Sequence, residues 1–145
     1  MPFVKNIKNL IVNSIGDTRI RTLSKSSHLK NLQELNLNGN CIGEKGFLLL
    51  AKSENFKNLK VLRISGIPMD DEEVQSLVNS SSLKQLEELE IAGNSLSGRG
   101  LRMLANSPVL PHLKKLDLRR NRLNDTDQIF LADSPEISHL NHLRI

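Results

Sequence analysis

Few side chains in this sequence could carry out a reaction, and those few are scattered. His112 and His139 lie 27 positions apart, which is also the period of the chain and would bring the two rings near each other. Two histidines without a third ligand or a base partner are a weak signal for a metal or for acid–base chemistry. His28 and His142 have no evident partner. Cys41 is the only cysteine, so there is no disulfide framework and no cysteine-based metal motif. It follows Asn40, where a small apolar side chain is expected, which predicts a core thiol rather than a nucleophile. Gly43, Gly46, Gly98 and Gly100 belong to helix starts and do not form a phosphate-cradling loop. The expectation is a protein that is not an enzyme and uses no cofactor or metal.

Charge is more informative. The chain has 20 Lys and Arg against 16 Asp and Glu, a net +4 with a pI near 9.4. The bases are interleaved with acids rather than gathered in a tail. Lys30, Lys57 and Lys84 occupy one phase, while Lys8, Lys60 and Lys114 occupy another, and together they would line one rim. Arg119, Arg120 and Arg122 make a basic knot at the other rim. Such rows can attract phosphates or anionic lipid heads, although a solvated edge that keeps a repeat protein soluble is the commoner use. With no Trp or Tyr and only four Phe, base stacking and an aromatic-anchored interface are both disfavoured.

The elements that must position these residues follow from a repeated skeleton, L-x-x-L-x-[LI]-x-x-N-x-[LI]. It reads LQELNLNGNCI from Leu32, LEELEIAGNSL from Leu86 and LKKLDLRRNRL from Leu113, with LKVLRISGIPM from Leu59 lacking the Asn. The opening leucines Leu32, Leu59, Leu86, Leu113 and Leu140 are each 27 positions apart, and a looser first copy at Ile7 is two residues short. A fixed period in this range means stacked supersecondary units, here in one domain spanning residues 1–145, with repeats starting near 7, 32, 59, 86 and 113 and a partial sixth from 140. The alternating aliphatic residues predict short strands, and the long identical crossovers make them parallel. Asn40, Asn94 and Asn121 share one phase and are expected to point inward as a ladder that bonds turn backbone, interrupted at Ile67 and Ile15. Gly43, Asp70, Ser97 and Asn124 then open helices. The apolar trios Phe47, Leu50, Ala51; Val74, Leu77, Val78; and Leu101, Leu104, Ala105 each mark one helical face, whereas the last copy keeps only Leu131 and Ala132 beside Ile129 and Phe130. Serines Ser26, Ser53, Ser80, Ser107 and Ser134 are expected to end the helices, with an apolar plug three residues on.

This unit resembles a leucine-rich repeat. The text N-S-L-S-G-R-G-L-R-M-L-A-N-S is similar to the ribonuclease-inhibitor-like branch, and to bacterial repeats with the phrase N-x-[IL]-G-x-x-G-x-x-x-L-A-x-S. Asn40, Ile42, Gly43, Gly46, Leu50, Ala51 and Ser53 fit that phrase, as do Asn94, Leu96, Gly100, Leu104, Ala105 and Ser107. The resemblance implies an α/β fold, a curved leucine-rich repeat solenoid with parallel strands on the concave face and helices on the convex face. It implies protein recognition rather than a reaction.

Because the aliphatic positions point inward, the residues between them face the concave surface. The binding candidates there are Glu34, Asn36, Asn38, Val61, Arg63, Glu88, Glu90, Lys115, Asp117, Arg119, His142 and Arg144. Their four acids balance their four bases. Repeats about 4.8 Å apart would let Glu88 face Lys115 and set Glu90 between Arg63 and Asp117. Both a self-paired, solvated surface and a polar protein-binding face fit this pattern.

The leading reading is a non-catalytic interaction module that binds a protein through the concave face and rims. One alternative is an anion, nucleic-acid or phospholipid binder working through the rim of Lys30, Lys57, Lys84, Lys60 and Lys114. Another is a regulator of a GTPase or other enzyme. The lack of a signal-peptide pattern or membrane span predicts a cytoplasmic protein. Leu140, Leu143 and Ile145 are core positions with no helix after them, so a weak homodimer through that edge, or a longer chain, is expected. Pro2, Phe3 and Val4 are expected to close the amino end.

Overall fold

Each skeleton folds as a strand only three residues long, its central leucine pointing into the stack and the residues on either side of it to the opposite face of the sheet. The strands are β1 (Asn9–Ile11), β2 (Glu34–Asn36), β3 (Val61–Arg63), β4 (Glu88–Glu90), β5 (Lys115–Asp117) and β6 (His142–Arg144). A computed structural model describes residues 6–145, so Pro2, Phe3 and Val4 lie outside the described residues. The strands form one sheet in sequence order, every pair parallel. Pairing steps with the repeat: Leu10, Leu35, Leu62, Leu89, Leu116 and Leu143 stand opposite one another. The middle four of these leucines are buried, whereas Leu10 and Leu143 on the outer strands are only partly so.

Between the strands run α1 (Asp17–Lys25), α2 (Glu44–Lys52), α3 (Asp71–Val78), α4 (Gly98–Ala105) and α5 (Asp125–Asp133). A helix is about 10 Å across, while neighbouring strands are only about 4.8 Å apart. Stacking the two at the same step bends the assembly, with strands inside and helices outside. The result is a curved α/β solenoid. Its core is a set of columns running through the repeats: the strand leucines, the helix faces, and the plugs Leu29, Phe56, Leu83, Leu110 and Ile137, all buried. At about 1.5–3 kcal/mol for each fully buried large aliphatic side chain, these columns dominate the favourable energy.

The helix starts combine local and long-range signals. Asp70 with Glu73, and Asn124 with Asp127, form reciprocal capping boxes, and the Ser97 hydroxyl accepts from the Arg99 N–H. Gly43 has no side chain to cap with. Its N–H instead donates to Asp17 Oδ1 of the preceding helix at 2.8 Å. Asp71 does the same for the Ser97 N–H at 2.9 Å. Gly46 and Gly100 make room for these carboxylates, since a Cβ at either position would collide with Asp17 or Asp71.

Three local expectations are corrected. The serine column ends α1, α2 and α5, but α3 and α4 end one residue earlier, at Asn79 and Asn106. Ser53 and Ser80 also turn inward and donate to carbonyls of the preceding repeat, those of Ser24 and Ala51. Ala132 is exposed and Ile129 is 61 % exposed, because the buried stripe of α5 runs through Asp127 and Leu131. Cys41 is exposed rather than in the core, its side chain lying outside the stack while Asn40 and Ile42 on either side are buried. No helix among the described residues is long and apolar enough to cross a membrane.

Candidate functional site

The turn that leaves each strand decides where the concave surface ends. Asn40 Oδ1 accepts from the Ile15 N–H at 2.9 Å, and its Nδ2 donates to the carbonyls of Val12 and Leu37. Asn94 accepts from the Ile67 N–H at 2.8 Å and donates to the Ile64 carbonyl at 3.0 Å. Asn121 accepts from the Leu96 N–H and donates to the carbonyls of Ile91 and Leu118. Each amide therefore ties its own turn to the repeat before it. The N–H groups of Ile15 and Ile67, which lack an Asn of their own, are supplied by the next repeat. One residue before this column the backbone is left-handed throughout, with φ near +65° at Gly39, Gly66 and Gly93, and +56° and +58° at Ser14 and Arg120.

On the concave surface the eight charged candidates neutralise one another. Arg63 reaches Glu90 at 3.2 Å and Glu34 at 3.6 Å, spanning three strands. Lys115 meets Glu88 at 2.7 Å, in the register expected for neighbours. Arg119 grips Asp117 with Nη2 at 2.6 Å and Nε at 3.0 Å, and Arg144 adds a longer contact at 3.8 Å. The Arg119 hydrogen bond is the main reason that the Asp117 carboxyl titrates below the usual carboxylate range. Burial opposes this, while the Arg119 and Arg144 charges reinforce it. Asn36 and Asn38 also use their side-chain oxygens internally, accepting from the N–H groups of Asn38 and Ser65. Their amide –NH2 groups donate no hydrogen bond among the described residues.

Val61 and Asp117 depart from the expected surface. Both are only 8 % exposed, Val61 between Glu34 and Glu88 on the flanking strands and Asp117 beneath its arginines. His142 stays exposed beside Lys115 on the neighbouring strand. It shares with Arg63, Glu88, Glu90, Lys115, Asp117 and Arg144 a shallow hollow of about 340 Å³ across β3–β6. Ile11, at the same phase as Asn36 and Arg63, is 70 % exposed on β1 at the far end of the same face.

The rims separate into free and occupied cations. Lys30, Lys57 and Lys84 are exposed and join no ion pair among the described residues. Lys60 and Lys114 converge on Glu87, at 3.3 and 2.6 Å, and hold that carboxyl below its ordinary pKa, Lys114 more strongly than Lys60. The arginine knot is divided too: Arg119 is held by Asp117, while Arg120 and Arg122 are exposed. The ring of His139 lies 3.0 Å from the Leu110 carbonyl, so its reach goes to backbone rather than to His112.

The family described as Leucine Rich repeat matches residues 28–51, 83–105 and 109–132. No curated protein matches the sequence significantly. Among solved structures, a Bacteroides fragilis protein is similar at 25 % identity and a TM-score of 0.68, over 97 % of this chain and 43 % of that one. The tropomodulin C-terminal domain of Caenorhabditis elegans is similar at 18 % identity and TM-score 0.65, over 88 % of this chain and 78 % of that one. The Actin-Binding Site 2 structure of leiomodin-1 follows at 16 % identity and TM-score 0.60, over 88 % and 75 %. At these last two identities the likeness is one of fold. Three matched repeats on a six-strand parallel sheet, with solved structures of the same shape, support the reading of this chain as a leucine-rich repeat protein.

Proposed function

We propose that this protein is a non-catalytic interaction module that binds a protein partner across its concave sheet and adjoining rims. The observation that carries this reading is the self-neutralised charge lattice around the hollow on β3–β6. Exposed ion pairs are worth only about 0.2–1 kcal/mol each. A partner can therefore exchange them for its own charges at little cost, while their fixed pattern still selects who docks. Six strands about 4.8 Å apart and three residues long make a strip on the order of 24 by 10 Å. That is well below the roughly 800 Å² that each side of a stable interface contributes, so the rims must take part. The leiomodin-1 structure, named for an actin-binding site, supports protein recognition as a use for this scaffold. The reading places the protein in the cytoplasm, where the exposed Cys41 thiol stays reduced.

A charge swap tests it. Glu88→Lys combined with Lys115→Glu keeps the internal pair and the net charge but reverses the pattern that a partner meets. Immobilised parent protein and the swapped variant are compared in capture from a lysate of the source cell, with circular dichroism as the check on folding. Loss of specific captured proteins in the swapped variant is expected. Identical captured sets would overturn the concave reading.

A further inference from the structure

We propose that the rim at the amino ends of the strands is a docking strip for an acidic polypeptide segment. This deepens the reading above at one of its rims and rests on it, and the swap test leaves these lysines untouched, so the two fail separately. Two columns of the repeat supply Lys8, Lys30, Lys57, Lys60, Lys84 and Lys114, against Glu87 as their one acid. Their surplus of five exceeds the +4 of the whole chain, so all other charges together sum to −1. That edge therefore carries a larger positive surplus than the chain as a whole, while the exposed Arg120 and Arg122 of the other rim are offset by acids elsewhere.

That edge also has relief. A groove of about 310 Å³ runs between Lys8 and Lys60, floored by the amides of Asn31, Gln33, Asn58 and Gln85. Asn31 spends one amide N–H on Asn6 and Asn58 one on the Lys30 carbonyl, which leaves each a second donor for a carboxylate. The rim backbone is already paired, with the Gln33, Lys60 and Lys114 N–H groups bonded to the repeat before. Recognition there must come from side chains rather than from an added strand.

The chemistry favours a polypeptide over a nucleic acid. Every cation on the strip is lysine, so no arginine there offers the planar fork that reads guanine edges or stacks on bases. The chain has no Trp or Tyr on which a base could stack. Spacing favours an extended chain. Lysines of one column step by more than the ~4.8 Å between strands and by less than the ~10 Å between helices. An extended polypeptide repeats the same face about every 7 Å, inside that window.

The test uses the full chain and a fluorescent 20-residue poly-glutamate, followed by anisotropy at low salt. The triple variant Lys30→Gln, Lys57→Gln, Lys84→Gln is compared with Lys25→Gln, Lys45→Gln, Lys52→Gln, which removes the same charge from exposed helix positions. The expected result is binding by the parent, about tenfold weaker in the rim variant and changed by less than about twofold in the control. Raising salt to ~0.5 M should remove it in all three. No binding by the parent, or equal losses in the two variants, overturns the proposal. Tighter binding of a DNA duplex, or of phosphatidylserine vesicles, through the same lysines would also overturn it and assign the strip to nucleic acid or membrane.

Discussion

Changing Asn94 to alanine removes two hydrogen bonds that hold adjacent repeats together. The Ile67 N–H loses its acceptor at 2.8 Å and the Ile64 carbonyl loses its donor at 3.0 Å. Alanine can restore neither. A buried backbone group left unpaired costs about 1–3 kcal/mol. Asn94 is 9 % exposed, so water reaches the edge of this turn and softens part of the loss. The expected destabilisation is about 2–4 kcal/mol, a large share of the 5–15 kcal/mol typical of a whole domain. With no Trp or Tyr to report by fluorescence, urea unfolding is best followed by far-ultraviolet circular dichroism. Amide hydrogen exchange at Ile67 gives the local readout, and its protection should fall more than that of the amides in β1. Asn79→Ala, at the exposed end of α3, is the control and should stay within about 0.5 kcal/mol of the parent. If Asn94→Ala unfolds at the same urea concentration as that control, with Ile67 protection unchanged, the amide is not holding the turn and the reasoning fails.

Two further outcomes are expected. Arg120→Gly should stabilise the chain by about 1 kcal/mol, because Arg120 holds φ +58° where the three preceding repeats use glycine; an unchanged urea midpoint would show that the turn relaxes at no cost. Asp117 has a folded pKa below its unfolded value, so its contribution is present above about pH 4 and is lost as pH falls through the folded pKa. Arg119→Ala should therefore raise the Asp117 carboxyl pKa, read by carbon NMR, and move acid unfolding to higher pH; an unmoved carboxyl titration would show that Arg119 does not set it.

The period, the strand register, the helix caps at Asp70 and Asn124 and most of the buried columns were legible in the sequence. They depend on residue type at fixed local spacing, and a repeat states each signal several times over. The pairing of Glu88 with Lys115 and of Arg63 with Glu90 was legible for the same reason, since a constant step turns sequence phase into adjacency. Tertiary structure alone decided several contacts made by side-chain reach, between repeats or within one. Asp17 supplying Gly43, Glu87 drawing in Lys60 and Lys114, and Arg119 folding back on Asp117 all depend on where a flexible side chain finds its partner. Only the folded chain could show that Cys41 faces out, that Val61 is covered by its neighbours and that Arg120 occupies a glycine-like turn. The sequence determined the scaffold because burial follows a pattern with a period. It left open which charges stay free, because that is settled by distances of a few ångströms between residues about 27 positions apart.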